Sequence, residues 1–251
     1  MKKLILTFLA LLPLWIFAQT EGIIHFKETI SLDIELPEGM EAFASQIPST
    51  QTANMIFSFN EEVTLYESAK NTEAEDLKMG SEEEGVMLNM RFEVPENKVF
   101  TNIAEGKMVN KKDFMGKKFL IQGEIEKYKW KLTGEQEIIL GYPCQKATYR
   151  KDSTHNFIAW FTPQIPVASG PQGISGLPGM ILKLDMDDGR MVTEATLVEF
   201  KKLEEGIIKV PKKGKKVSKE EFEKIQEEKM NEMEAEYGGS GNSKTRIIIQ
   251  N

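Results

Sequence analysis

Apolar and polar positions alternate in short stretches along most of the chain, and the stretches are separated by turn-forming residues. His25 to Leu36 alternates with β-branched residues and stops at Pro37-Glu38-Gly39, which predicts a strand. Asn54 to Tyr66 reads the same way, with Met55, Phe57 and Phe59 and then Val63 and Leu65 on one side. Further short strands are predicted at Val86 to Glu93, Lys98 to Ile103, Phe119 to Gln122 and Tyr128 to Leu132. Glu137 to Leu140, Cys144 to Arg150 and Phe157 to Thr162 come next. Met180 to Met186 and Met191 to Phe200 flank Asp188-Gly189, a hairpin signal, and Ile207 to Val210 predicts one more short strand. Many short strands joined by Gly, Pro, Asn and Asp predict a mainly β domain: an antiparallel sheet, a sandwich or a partial barrel.

Several segments break this rhythm. Met40, Phe43, Ala44 and Ile47 fall at helical spacing before Pro48, so a short helix is predicted near 40–47, either closing one end of the sheet or plugging its core. Residues 67–85 are acidic and polar and predict a solvated loop. Residues 163–179 hold Pro163, Pro166, Pro171 and Pro178 together with Gly170, Gly173, Gly176 and Gly179. Proline cannot donate to a ladder, so this is no central strand. It is a loop whose freedom the prolines restrict, with Pro178-Gly179 predicting a type II turn. Lys212, Lys213, Lys215 and Lys216 surround Gly214 in a basic turn. Ser218 and Glu221 form a capping-box pattern, after which Phe222, Ile225, Met233 and Tyr237 share one face. A helix is therefore predicted over 219–237, stopped by Gly238-Gly239. In the tail beyond it, 238–251, Thr245 to Gln250 is a candidate edge strand.

The N-terminus changes the setting. Lys2 and Lys3, the apolar run Leu4 to Phe17 and the small residue Ala18 predict a cleaved signal peptide over 1–18. The run is too short to span a bilayer of about 30 Å. The segment 19–237 has a length that suits one β-rich domain. The 251 residues carry a formal net charge of −7, which argues against nucleic acid as a partner, because phosphate binding needs clustered Lys and Arg. The one cysteine, Cys144, is expected to be a buried thiol rather than an intermolecular disulfide partner.

The run from Trp160 to Ile181 carries the strongest signature. Gly176-Leu177-Pro178-Gly179-Met180-Ile181, with Trp160-Phe161-Thr162-Pro163 and Ile165-Pro166 before it, resembles the signature of the GLPGLI family of exported Bacteroidetes proteins. Trp130-Lys131-Leu132, Gly141 to Ala147, the Lys-Gly-Lys turn and Ser218 to Phe222 fit the same pattern, so the resemblance covers roughly residues 22–237. It implies a periplasmic setting and a curved half-barrel similar to bacterial lipoprotein carriers, with genes often beside outer-membrane TonB-dependent receptors. It brings no catalytic residues and no cofactor.

Candidate chemistry is sparse. Cys144 has only His25 and His155 as possible bases, and no G-x-S-x-G elbow is present, so no enzyme activity is expected. Asp185, Asp187, Asp188 and Gly189 resemble the start of a calcium loop, but Thr196 stands where its closing Glu belongs, and a hairpin turn explains the same residues. Met87 with Met90, or Met230 with Met233, invites a copper(I) reading, against the commoner use of Met as core filler. The glycine/proline loop is either a shaped crossover packed close to Trp160 or a rigid rim beside an apolar groove. On the second reading Trp160, Phe161, Ile165, Leu177, Pro178 and Met180 line a site for an apolar small molecule or lipid. The expectation is a non-enzymatic periplasmic binding or carrier protein. The alternative is an accessory protein of an outer-membrane receptor or export system, joined by strand addition.

Overall fold

The computed structural model describes residues 20–32, 45, 47–69, 75–81, 86–92, 96–152 and 155–237. The predicted signal peptide, most of the predicted 40–47 helix and the tail lie outside the described residues.

The first half of the chain gives β1 (Gly22–Ser31), β2 (Thr50–Phe59), β3 (Val63–Ser68), β4 (Glu75–Ser81), β5 (Val86–Phe92), β6 (Asn97–Asn102), β7 (Lys107–Phe114) and β8 (Lys117–Glu124). The second half gives β9 (Lys131–Ile139), β10 (Tyr142–Arg150), β11 (Asn156–Thr162), β12 (Met180–Met186), β13 (Met191–Phe200), β14 (Lys215–Val217) and the helix α1 (Lys219–Tyr237). Twelve strands form one open sheet in the order β14-β8-β7-β6-β3-β2-β1-β13-β12-β11-β10-β9, and β4 pairs with β5 in a second, two-stranded sheet. The pairings in the large sheet are antiparallel except for β14 against β8, which is parallel.

The sheet curls. β1 and β6 are three steps apart in strand order, about 14 Å along a flat sheet. Yet one side-chain amide, that of Gln172, hydrogen-bonds both Glu28 on β1 and Asn97 on β6. The helix gives a second measure. Phe222 packs edge-on against Phe114 and Phe119 of β7 and β8. Eight residues on, about 12 Å of helix, Met230 reaches a cavity shared with Ile30 and Met191 of β1 and β13. Along a flat sheet β8 and β13 are six steps apart, roughly 29 Å. Inward-pointing side chains therefore converge on a concave face, and α1 bridges one end of it.

That face is filled by the chain itself. Ile24, Phe26, Phe57, Phe59, Tyr66 and Val99 of the sheet pack with Ile165 and Val167 of the glycine/proline segment in one cluster. Ala147, Ala159, Phe161 and Leu184 pack with Ile174 and Leu177 of the same segment in another. The predicted loop is thus a plug inside the half-barrel.

Several expectations are corrected. Asn54 to Tyr66 is two strands, because the Asn60 carboxamide accepts from the backbone N–H groups of Glu62 and Val63 and turns the chain. The segment 67–85 contains β4, whose register with β5 pairs Leu77 with Met90 and Met79 with Leu88, an alternation hidden among acidic residues. β7 has no counterpart among the predicted strands: its positions 108, 110 and 112 are Met, Asn and Lys, so two of these three are polar and the alternation disappears. Tyr128 to Leu132 is not a strand. β9 begins only at Lys131 and absorbs the predicted 137–140 strand, while Tyr128 and Trp130 fold onto β10 and β11 as an aromatic group. Ile207 to Val210 forms no strand. The lysine turn supplies β14 instead, laid along Phe119, Leu120 and Ile121. The capping box is present: Glu221 N–H donates to the Ser218 hydroxyl and Ser218 N–H to the Glu221 carboxylate.

Candidate functional site

The plug is built from tight turns rather than regular structure. The N–H of Val167 donates to the carbonyl of Ile165 at 2.8 Å, and that of Gly179 to Leu177 at 2.9 Å. Each bond closes a γ-turn centred on a proline, Pro166 and Pro178, so the predicted type II turn at Pro178-Gly179 is a tighter one. Met180 N–H donates to Ile165 and Ile181 N–H to Ser169, which ties the plug to β12. Gly179 lies so close to β11 that a β-carbon there would stand 2.2 Å from the Thr162 carbonyl oxygen.

Beneath the plug sits a buried polar cluster. The Glu28 Oε2 atom accepts from the Tyr66 hydroxyl at 2.7 Å, from Gln172 Nε2 at 2.8 Å and from Thr193 Oγ1 at 3.3 Å. A carboxylate only accepts, so it fixes the amide of Gln172. The freed Gln172 Oε1 then accepts from Asn97 Nδ2 at 2.8 Å. Burial, helped by the Glu28 charge, holds the Tyr66 phenol far above its ordinary range, so it stays a donor. Burial also pushes the Lys112 ammonium down, partly countered by Glu28 across the concave face.

The residues predicted to line a ligand site are dispersed through this packing. Phe161, Ile165 and Met180 have no solvent exposure, and Leu177 has 3 %. Phe161 and Leu177 belong to one core cluster, Ile165 and Met180 to the other. Pro178 is exposed. Trp160 is half-buried against the cluster that contains Ile165 and Met180, and the Lys146 ammonium stands 5.7 Å from its ring centre. The apolar side chains of the plug are spent on the sheet, so these residues hold it in place.

Among the described residues two concavities border the sheet. One, of about 560 Å3, is bordered by Glu105, Glu124, Glu126, Tyr128, Ser175 and Gly176. The Trp130 indole N–H donates to the Ser175 carbonyl at 2.9 Å and joins this groove to the plug. Tyr128, Trp130, Tyr149 and Phe157 pack ring against ring, centroids 5.1 to 6.1 Å apart, and none of the four is fully buried. Burial and the neighbouring Glu126 charge raise the Tyr128 phenol. Burial alone would raise Glu126, but the hydrogen bond from Lys219 and its charge outweigh it and hold the carboxyl below its ordinary value. The second concavity, about 350 Å3, lies between the β12–β13 hairpin and α1. Neither is visible from sequence: Tyr128 and Trp130 read as strand positions, and the contacts of α1 depend on the curl of the sheet.

The remaining candidate chemistry is structural. Asp185 Oδ1 accepts from Gly189 N–H at 2.7 Å, and Asp187 and Asp188 accept from the Asn156 backbone and carboxamide, so these residues shape a turn. Among the described residues no three His, Cys, Asp or Glu side chains are grouped to hold a metal. His155 pairs with Asp152 at the turn between β10 and β11. Cys144 lies toward the far end of β10, about 20 Å away along the strand. Its thiol donates to the Tyr142 carbonyl, and burial pushes its pKa up to about 11. At pH 8 the thiolate fraction is then small and shielded, so Cys144 is expected to stay unmodified by iodoacetamide until denaturant is added. Rapid labelling of the native protein would contradict that burial.

Fold and site together define a half-barrel plugged by its own glycine/proline segment. Residues 150–183, which comprise β11, the plug and the start of β12, match the family model described as "Protein of unknown function (Porph_ging)". The fold is similar to that of PNGF-II in two crystal forms. The first matches at TM-score 0.52 and 17 % identity, covering 82 % of this chain and 33 % of that one. The second matches at TM-score 0.53 and 18 % identity, covering 82 % and 32 %. The chain thus spans about a third of the length of PNGF-II. No curated protein matches the sequence.

Proposed function

We propose that this chain is an exported, non-catalytic binding protein of the Bacteroidetes periplasm, a member of the GLPGLI group that its plug sequence resembles. Its ligand sits in the groove beside Tyr128 and Gly176. The observation that carries this reading is Tyr128, which lines a groove rimmed by three carboxylates and is backed by the rings of Trp130, Tyr149 and Phe157. Aromatic faces take an apolar body, while Glu105, Glu124 and Glu126 accept hydrogen bonds from a donor-bearing head. That combination fits an envelope-derived amphiphile. The Phe161 and Met180 side chains support the plug from behind rather than line the groove.

Native mass spectrometry of the mature protein, recovered gently from its own periplasm, tests the reading. We expect an adduct of lipid-like mass, largely lost in Tyr128→Ala. Bare protein in the wild type, or an adduct indifferent to Tyr128→Ala, would sink the groove assignment.

A second reading has its own observation. Among the described residues β9 pairs on one side only, and Leu132 and Ile138 on it are exposed, Ile138 by 75 %. An apolar open edge suits strand addition by a receptor segment. Recovery of bare protein bound to an outer-membrane receptor would favour it.

A further inference from the structure

We infer that the tip of the β7–β8 hairpin and the lysine turn beside it form a docking surface for an anionic phospholipid bilayer, with Met115 as its apolar anchor. Met115 and Gly116 join the two strands, and the register closes with Phe114 opposite Lys117. The backbone φ is +52° at Met115 and +74° at Gly116. A two-residue hairpin turn with both φ values positive is of type I′, which strongly prefers Asn, Asp or Gly at its first position. A long apolar side chain there is strained, and that of Met115 is also exposed, by 46 %. Neither turn chemistry nor core packing accounts for a methionine at this position.

Basic residues flank it. Lys117 and Lys118 follow the turn directly. β14 runs parallel to β8 with Lys215 against Phe119. Gly214 lies so near β8 that a β-carbon there would stand 3.0 Å from the Lys118 carbonyl oxygen. The lysine turn is thereby held beside the hairpin, and Lys117, Lys118, Lys212, Lys213, Lys215 and Lys216 are all exposed. Among the described residues only Lys118 of these six has an ion pair, with Glu96 at 3.4 Å, while Asp113 stands opposite Lys118 in the register. Positive charge is thus concentrated at one edge of a chain whose net charge is −7. Lysines on an edge strand also deter edge pairing, which accounts for Lys215 and Lys216. It does not account for a strained apolar residue next to Lys117. Ammonium groups on flexible stems suit a mobile array of phosphates better than one fixed acidic pocket, and an apolar side chain among them can enter the acyl boundary.

Co-sedimentation of residues 19–251 with vesicles tests this, independently of any ligand in the groove. Binding is expected to phosphatidylcholine vesicles that contain about 30 % phosphatidylglycerol, and not to phosphatidylcholine alone. It should fall at least about tenfold between about 0.1 M and about 0.5 M salt, a measurement that needs only the wild type. Lys117→Gln/Lys118→Gln/Lys212→Gln/Lys213→Gln should weaken binding at least about 100-fold, at roughly fivefold per lysine. Met115→Asn should weaken it about tenfold and yet raise Tm, because Asn accepts a positive φ more readily than Met. Leu140→Asn is the control. Leu140-Gly141 joins β9 to β10 with φ of +51° and +85°, and Leu140 is likewise 46 % exposed, but this turn lies at the opposite edge of the sheet from the lysine turn. That variant should bind vesicles as the wild type does. Equal binding to neutral vesicles, binding to neither kind, binding indifferent to salt, or binding undiminished in the quadruple lysine variant or in Met115→Asn would overturn the proposal.

Discussion

Gly179→Ala is expected to destabilise the protein by about 4 kcal/mol and to lower its Tm by roughly 10 °C. Two costs combine. Gly179 holds φ at +148°, a region that side-chain-bearing residues rarely occupy. A β-carbon there would also stand 2.2 Å from the carbonyl oxygen and 2.7 Å from the carbonyl carbon of Thr162, both backbone atoms of β11. A flexible side chain could step aside, but a strand paired on both sides cannot do so without disturbing the Phe161–Ile181 and Thr162–Met180 register. The other glycine of the same hexapeptide supplies the contrast. Gly176 also has positive φ, at +92°, but a β-carbon there meets only the edge of Trp130 at 3.5 Å, an ordinary contact. Gly176→Ala should therefore cost about 1–2 kcal/mol, from backbone strain alone. Urea unfolding of the two variants decides it. Equal losses, or a neutral Gly179→Ala, would mean that the plug does not press on β11 as described.

This asymmetry separates the local signals in the sequence from the long-range ones. Four prolines and four glycines in 163–179 announce an ordered, irregular segment, and proline identity explains why the chain can turn within three residues at Pro166 and Pro178. Nothing in the pattern says that the segment lies inside the sheet. That is a matter of curvature, a sum of twist and strand order that joins β1 to β13 across most of the chain length. The same long-range geometry hides the roles of the apolar residues. Trp160, Phe161, Ile165, Leu177 and Met180 read as a lining because they cluster in sequence beside a loop, whereas the loop folds back on them. Strands with one apolar face, such as β1, β2, β12 and β13, are legible from alternation. β7 is not, because Asn110 and Lys112 put polar groups where alternation expects apolar ones. The Ser218–Glu221 box marks the start of α1 because capping is local chemistry, and where the helix lands is not.

The buried cluster yields the other large effect. Glu28→Ala is expected to cost about 4 kcal/mol, comparable to Gly179→Ala but by a different route. It leaves three donors without their acceptor inside the protein: the Tyr66 hydroxyl, the Gln172 amide and the Thr193 hydroxyl. It also removes the negative charge that partly offsets the burial of Lys112. Deleting an acceptor while its donors stay buried incurs their desolvation, whereas deleting a donor with it relieves part of that cost. The double variant Glu28→Ala/Tyr66→Phe should accordingly be more stable than the sum of the single losses predicts, by about 1 kcal/mol or more, in a double-mutant cycle. Glu28→Gln keeps an oxygen in place but loses charge and turns an acceptor into a donor. We expect it to fall between wild type and Glu28→Ala. The cluster also anchors the plug by a polar contact, since Gln172 reaches Glu28 on β1 and Asn97 on β6 at once. Amide hydrogen exchange should therefore accelerate in residues 169–175 of Glu28→Ala at a denaturant concentration where the pairing of β1 with β2 remains protected. Additive losses in the cycle together with unchanged exchange in the plug would show that Glu28 is a bystander, and that apolar packing by Ile165, Val167, Ile174 and Leu177 alone keeps the half-barrel filled.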